Sequence, residues 1–167
     1  MTDLLAVAGT AAGKKVFKKV VGELYGLLSK QAGQKLRQWN TERQIDTLYH
    51  KMSLVRKVKT IWQVDKPVDL SAFYCDSHVV IDEKRKTIRQ LGDLGSIGNL
   101  LIEGIAGQGK SIFLRYLCAV ELAVGNYIPL FVELRRIDSA HSLRNRIYAA
   151  FALLKLDVDD ARSKSVV

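Results

Sequence analysis

The stretch that decides the fold lies between residues 100 and 111 and reads Leu100-Leu101-Ile102-Glu103-Gly104-Ile105-Ala106-Gly107-Gln108-Gly109-Lys110-Ser111. Its second part matches the pattern G-x-x-x-x-G-K-[ST]. The apolar residues before the first glycine predict a buried strand, and a mostly apolar helix is predicted to follow and to continue until Gly125. Residues 128–134 predict a second buried strand. The order strand, glycine loop, helix, strand is that of a βαβ unit.

A glycine loop that leads into a helix is suited to binding phosphate. Glycines let the backbone curl so that N–H groups point inward, and the helix N-terminus adds free amides and a favourable dipole. Lys110 supplies a mobile cation for the β- and γ-phosphates, and the Ser111 hydroxyl can complete the shell of a magnesium ion. We therefore predict contacts with ATP or ADP, and with Mg²⁺ through Ser111, from nine consecutive residues: Gly104, Ile105, Ala106, Gly107, Gln108, Gly109, Lys110, Ser111 and Ile112.

The composition of the 167-residue chain narrows the possible classes of protein. Hydrophobic residues make up 48% and charged residues 26%, which excludes wholesale disorder and a collagen-like chain. Cys75 and Cys118 are too few for a disulfide framework or a zinc site and favour a reducing, cytoplasmic setting. No apolar run approaches the length of a membrane span, and Asp3 stands where a secretory signal would carry positive charge.

The net charge of +9 is concentrated in the first third of the chain. Residues 1–60 hold twelve Lys and Arg against four Asp and Glu, and the remainder is nearly neutral. Apolar residues at helical spacing predict one helix through residues 17–28, an interruption at Gly33, and a second helix that begins with a cap at Thr41 and carries its apolar stripe over residues 45–62.

These stripes are most simply the core faces of a small helical bundle. Binding to a membrane surface, to nucleic acid or to another helical protein stays open as an alternative. Trp39 and Trp62 are the only tryptophans that could stack on bases, so no specific nucleic-acid partner is predicted.

The sequence divides into three parts. Residues 1–64 form a basic helical N-terminal region, residues 65–98 a linker with short strands, and residues 99–167 the start of a P-loop NTPase domain. Pro67 ends the helical character, and two short strands are predicted at residues 78–81 and 87–89, around a polar turn at residues 82–86. The predicted class is α/β, in which helices precede the first βαβ unit of an incomplete P-loop sheet.

The glycine loop and its surroundings resemble a known family. Residues 100–111, the run Phe113-Leu114-Arg115-Tyr116-Leu117 and residues 128–135 resemble the start of a NACHT module, which belongs to the STAND class of signal-transducing P-loop ATPases. Residues 48–62 together with Phe73 and Tyr74 are similar to the region that precedes NACHT in bacterial antiphage proteins. The resemblance covers about residues 41–137.

This resemblance implies a switch. The resting protein holds ADP, a C-terminal repeat region senses a trigger that is phage-derived in the antiphage type, and ATP then supports oligomerisation. The implied partners are further copies of the chain or a full-length NACHT relative. From its position before the glycine loop, the linker around Phe73 and Tyr74 is expected to approach the nucleotide base.

The chain departs from the family in one respect. Such ATPases need a second acidic motif, the Walker B, at the end of a later apolar strand. Val132-Glu133 closes the second predicted strand upstream of where the family places that motif, and the acids at residues 157–160 follow a stretch that is predicted as helix. We therefore expect either the N-terminal piece of a longer protein or a short natural product that pairs with one, and no ATP hydrolysis by this chain alone.

Three functions follow as hypotheses. The first is the nucleotide-binding portion of a NACHT-type signalling ATPase in bacterial antiphage defence. The alternative is a short, non-enzymatic decoy or regulator that binds a full-length NACHT relative through the helical N-terminal region. The third is a small kinase whose lid arginines would be Arg135, Arg136, Arg144 and Arg146, although Asp138 and the helical pattern favour a solvated helix for this stretch.

Overall fold

A computed structural model of the chain describes residues 4–32, 42–60, 63–95, 98–138 and 142–153. These residues form a mixed α/β arrangement of five α-helices and two small antiparallel sheets. The helices are α1 (Leu4–Val7), α2 (Ala11–Ala32), α3 (Glu42–Ser53), α4 (Lys110–Val124) and α5 (Leu143–Leu153). The strands are β1 (Lys57–Val58), β2 (Val68–Asp69), β3 (Ser77–Ile81) and β4 (Lys84–Ile88), paired β1 with β2 and β3 with β4.

Helix α4 lies at the centre of the core and contributes to two hydrophobic clusters. The first cluster packs Phe113 and Val120 of α4 with Leu5 of α1 and Ile88 of β4. The second cluster is formed around Leu122 of α4 by side chains of α2 and α3: Phe17, Val21, Leu48 and Tyr49. The core therefore draws on all three parts of the sequence, and their boundaries at residues 64 and 98 stay predictions.

The apolar stripes of α2 and α3 are core faces wherever their side chains are described. The rings of Phe17 and Tyr49 lie 5.4 Å apart, and the Tyr49 hydroxyl donates to the carbonyl of Ala8 at 2.6 Å. Part of the basic charge forms an ion pair between the same two helices, since Lys14 Nζ of α2 lies 2.6 Å from the carboxylate of Asp46 of α3. Five features of the sequence analysis fall outside the described residues: Gly33, Trp39, Thr41, Trp62 and the acids at residues 157–160.

The second predicted helix is shorter than its apolar stripe suggested, because α3 ends at Ser53. The Ser53 hydroxyl donates to the His50 carbonyl at 2.8 Å, and such a side-chain bond competes with helical pairing. The chain then forms a 3-10 turn at Leu54–Arg56 and enters β1. Val55 continued the stripe in the sequence, but it packs in the first core cluster and not with the α3 side chains of the second.

The prediction of two short strands around a polar turn is confirmed, but the turn is shorter than the predicted residues 82–86, because the second strand begins at Lys84 and not at Thr87. Strands β3 and β4 form an antiparallel hairpin in which Val80 lies opposite Arg85 and Ile81 opposite Lys84. Asp82 and Glu83 connect them with φ angles of 48° and 63°. Two consecutive residues with positive φ are the hallmark of the tight turn that matches the twist of a hairpin.

The two strands of the predicted βαβ unit are not strands in the described part of the chain. Residues 100–105 and 128–133 join neither each other nor the two sheets. A strand requires a neighbour for its N–H and C=O groups, and apolar sequence alone does not supply one. The helix between the two segments is confirmed as α4, but the P-loop sheet expected around it is not observed.

The C-terminal end of α4 is held by a glycine and a buried carboxylate. Gly125 has a φ of 77°, and a Cβ at this position would overlap the side chain of Val16 in α2. Glu121 is 3% exposed and accepts hydrogen bonds from the backbone N–H groups of Asn126 at 2.8 Å and Tyr127 at 2.9 Å. This end of the helix is thereby fixed against α2.

Candidate functional site

The glycine loop, residues 104–109, leads directly into α4. Gly107 and Gly109 have φ angles of 86° and 79°, a region that side chains other than glycine rarely adopt. The N–H of Phe113 donates to the Gly109 carbonyl at 2.8 Å, which is the first bond of the helix. The amides of residues 110–112 therefore have no acceptor within the helix, and Gly109 has no side chain with which to cap them.

Lys110 is the first residue of α4 and folds back over the loop. Its Nζ donates to the carbonyl of Gly104 at 2.6 Å and to the carbonyl of Ile105 at 2.7 Å. The ammonium group is therefore held on the loop that leads into the helix N-terminus. An anion placed at this junction would meet a cation and the positive end of the helix dipole together.

A second side chain also spans the loop. The Gln108 Oε1 atom accepts a hydrogen bond from the N–H of Ile105 at 2.9 Å. The same oxygen lies where a Cβ of residue 104 would be, so only glycine leaves room for it at that position. The sequence motif gives no signal for this contact, because Gln108 occupies one of its unrestricted positions.

The remaining predicted residues lie at the same junction. Ala106, Gly107 and Ser111 are exposed, and Ile112 is half-buried against the first core cluster. The structure thus brings all nine predicted residues together at one solvent-accessible turn. For magnesium, the chain offers the Ser111 hydroxyl, and no group of three His, Cys, Asp or Glu that could hold a metal is found among the residues described.

Tyr74 of the linker packs against α4. Its ring stacks on that of Tyr116 with centroids 3.9 Å apart, and its hydroxyl donates to Ser77 Oγ at 3.0 Å. Burial raises the pKa of Tyr74, although the hydrogen bond to Ser77 opposes this. Phe73 is 39% exposed. The expected approach of this linker to a nucleotide base stays a prediction.

Glu133, the acid at the end of the second predicted strand, is paired with two arginines. Its carboxylate pairs with Arg115 of α4 and, at 3.2 Å, with Arg135. The Arg115 guanidinium also lies 4.4 Å from the ring centroid of Phe131. Because Arg115 follows Ser111 by one helical turn, the paired carboxylate lies on the helix face that carries the predicted magnesium ligand. Sequence reasoning missed this pairing.

A cavity of about 500 Å³ opens between α3, α4, residues 129–133 and α5. Its lining is mostly apolar and includes Arg115 and Glu133, but none of residues 104–112. Separately, no helix that the structure describes is both long and apolar enough to cross a lipid bilayer.

Comparison with known proteins gives no match to a family model, to a curated protein or to a solved structure.

Proposed function

We propose that residues 104–112 bind the phosphates of ATP or ADP with Mg²⁺, and that the chain is the nucleotide-binding portion of a NACHT-type signalling ATPase in bacterial antiphage defence. One observation carries the binding proposal. Two glycines with positive φ turn the loop into the N-terminus of α4, where three amides lack helical partners, and Lys110 at that N-terminus holds its ammonium group on the loop carbonyls of Gly104 and Ile105. The NACHT assignment rests on the sequence resemblance alone.

The residues present fit a nucleotide phosphate. The junction offers backbone donors and a cation, and the exposure of the loop leaves it accessible from solvent. Lys110 would exchange its two carbonyl acceptors for phosphate oxygens, and Ser111 would provide a hydroxyl for magnesium. Bound magnesium would neutralise charge on the β- and γ-phosphates.

We assign no ATP hydrolysis to this chain alone. Glu133 is the acid that follows the apolar segment after α4, and its carboxylate is paired with Arg115 and Arg135. A carboxylate in contact with two guanidinium groups is a poor ligand for a cation, because releasing it would leave Arg115 partly buried without its partner.

The test is nucleotide-dependent stabilisation against heat. At a ligand concentration of 100 times Kd, binding adds about 2.7 kcal/mol to the free energy of unfolding, which raises Tm by roughly 5–10 °C for a chain of this size. We expect this shift with Mg-ADP or Mg-ATP in the wild-type protein and in the control Lys66→Ala, an exposed lysine far from the loop in sequence. The shift should disappear in Lys110→Ala. No shift in the wild-type protein, or an equal shift in Lys110→Ala, would refute nucleotide binding at this loop.

A second candidate function is the short regulator that binds a full-length NACHT relative. It is favoured by the exposure of apolar side chains in the loop and just before it, since Ile105 is 73% and Leu101 84% exposed. Co-purification with such a relative separates the two functions. The regulator predicts that Leu101→Asp abolishes the association and that Lys110→Ala leaves it intact. Loss of the association in Lys110→Ala but not in Leu101→Asp favours the nucleotide-binding function.

A further inference from the structure

The glycine loop is closed by its own side chains. Gln108 Oε1 accepts a hydrogen bond from the N–H of Ile105, and Lys110 Nζ donates hydrogen bonds to the carbonyls of Gly104 and Ile105. Residues 103–109 are all exposed, so burial does not force either contact. The Ile105 amide is therefore satisfied by an oxygen atom from within the loop, at the place where the nucleotide-binding proposal puts a phosphate oxygen.

We propose that the Gln108 side chain is an internal substitute for a phosphate oxygen and that it sets the affinity of the loop for nucleoside diphosphates and triphosphates. This inference rests on the proposed nucleotide-binding function. An amide oxygen accepts a hydrogen bond from a backbone N–H as a phosphate oxygen does, but it carries no net charge. Charged acceptors form stronger bonds than neutral ones, so an incoming phosphate displaces Gln108.

The geometry gives Gly104 a role in closing the loop even though its φ is not positive. Because the Gln108 amide lies against Gly104, a Cβ there would push the amide away from the Ile105 N–H. The aliphatic part of Lys110 also approaches the same point, since its Cδ would lie 3.6 Å from such a Cβ. Gly104 thus admits both side chains that close the loop, and phosphate binding releases both of them together.

The identity of residue 108 should therefore tune affinity in two directions. Gln108→Ala frees the Ile105 N–H and removes a competitor, so we expect Mg-ADP to bind roughly 2- to 10-fold more tightly, the equivalent of one net hydrogen bond. Gln108→Glu keeps the shape but places a carboxylate next to Lys110. We expect binding to weaken by about 10-fold or more, because this acceptor is charged and repels phosphate.

The experiment is calorimetric titration of Mg-ADP into the wild-type protein, Gln108→Ala, Gln108→Glu, Lys110→Ala and the control Gln63→Ala, whose glutamine is exposed and outside the loop. The ¹⁵N–¹H resonance of Ile105 provides a readout that needs no ligand, since loss of its acceptor in Gln108→Ala should shift it. Tighter binding in Gln108→Ala, weaker binding in Gln108→Glu and a shifted Ile105 resonance support the inference.

Two other outcomes are distinguishable. If the wild-type protein binds Mg-ADP, Lys110→Ala does not, and Gln108→Ala binds no more tightly than wild type, the role of Gln108 is refuted and the nucleotide-binding function stands. If neither the wild-type protein nor Gln108→Ala binds Mg-ADP, the function itself fails. An Ile105 resonance that is the same in Gln108→Ala overturns the inference independently, because the contact then does not form in solution.

Discussion

Replacing Asp69 by asparagine should lower the free energy of unfolding by about 2 kcal/mol at pH 7, mainly through a charged hydrogen bond. Asp69 Oδ2 accepts from an Arg56 terminal nitrogen at 2.8 Å and lies 3.2 Å from Lys57 Nζ. Its other oxygen accepts from the N–H and hydroxyl of Ser71, at 3.1 and 2.8 Å. The Arg56 and Asp69 side chains are only 12% and 19% exposed. Solvent therefore screens this pair weakly.

The magnitude follows from what asparagine keeps and what it loses. Its side-chain oxygen still accepts from Ser71, so the cap of the following 3-10 turn survives. The bond with Arg56 loses its charged acceptor, which changes a contribution of about 1.5–3 kcal/mol to about 1 kcal/mol. Lys57 is 48% exposed, so its share is below about 1 kcal/mol. These losses together give about 2 kcal/mol.

The pH dependence tests the same reasoning. Partial burial by itself raises the pKa of Asp69, but the hydrogen bonds from Arg56, Ser71 and Lys57 outweigh it and hold the pKa well below its ordinary value of 3.8. Because the pKa is lower in the folded state, the stabilisation is full above about pH 5 and is lost as the pH falls below 3.8.

Urea denaturation of the wild-type protein, Asp69→Asn and the exposed control Asp65→Asn should show this effect. The free energy of unfolding of wild type should exceed that of Asp69→Asn by about 1 kcal/mol less at pH 3 than at pH 7. Equal stability of Asp69→Asn and wild type at pH 7, or a gap that does not change with pH, would refute the argument.

Three further predictions concern α4 and its surroundings. Gly125→Ala should lower the free energy of unfolding by at least about 2 kcal/mol in the same assay, because its φ of 77° is strained for alanine and the added Cβ meets Val16; an unchanged midpoint would contradict this. A thiol reagent should modify exposed Cys75 quickly, but half-buried Cys118, whose pKa burial raises to about 12, much more slowly in the folded protein than after unfolding; two fast thiols in the folded protein would be the contrary result. Burial also raises the pKa of Glu121 above 4.5, so its contribution to the free energy of unfolding should fall as the pH rises from 4.5 through the raised pKa. In urea denaturation at several pH values, Glu121→Gln should remove this dependence of the free energy of unfolding on pH.

The parts of the fold that sequence reasoning predicted correctly are those whose signals are local. Helix α4 is marked by a glycine at each end and an apolar body. The hairpin is marked by two short strand segments around a polar turn, although the turn is only Asp82 and Glu83 and the second strand begins three residues earlier than predicted. The nine site residues come together because they are consecutive in the chain. No information about distant contacts is needed for any of these features.

The strands that failed to appear depend on partners. Residues 100–105 and 128–133 are apolar enough for buried strands, but pairing is a contact between segments, and neither segment has a paired neighbour among the residues described. The predicted length of α3 was wrong for a related reason. Helical spacing continued past Ser53, yet Val55 belongs to a different cluster, and the backbone leaves the helix to form β1 with β2. Periodicity reports which side chains are apolar and not which surface they will cover.

The acid at position 133 shows how the same limit applies to chemistry. In the sequence, Glu133 ends an apolar run and could serve a cation, a base or an ion pair. Its use is decided by Arg115, which is 18 residues away in the chain and reaches it because residues 128–133 run beside α4. Arg115 is itself fixed by Phe131 and by a hydrogen bond of 3.3 Å to the carbonyl of Val55. The contacts of the Glu133 carboxylate and of Arg115 therefore connect three segments of the chain: α4, residues 128–133 and the 3-10 turn after α3. To bind a metal, the carboxylate would have to leave Arg115, and these three segments would have to move relative to one another.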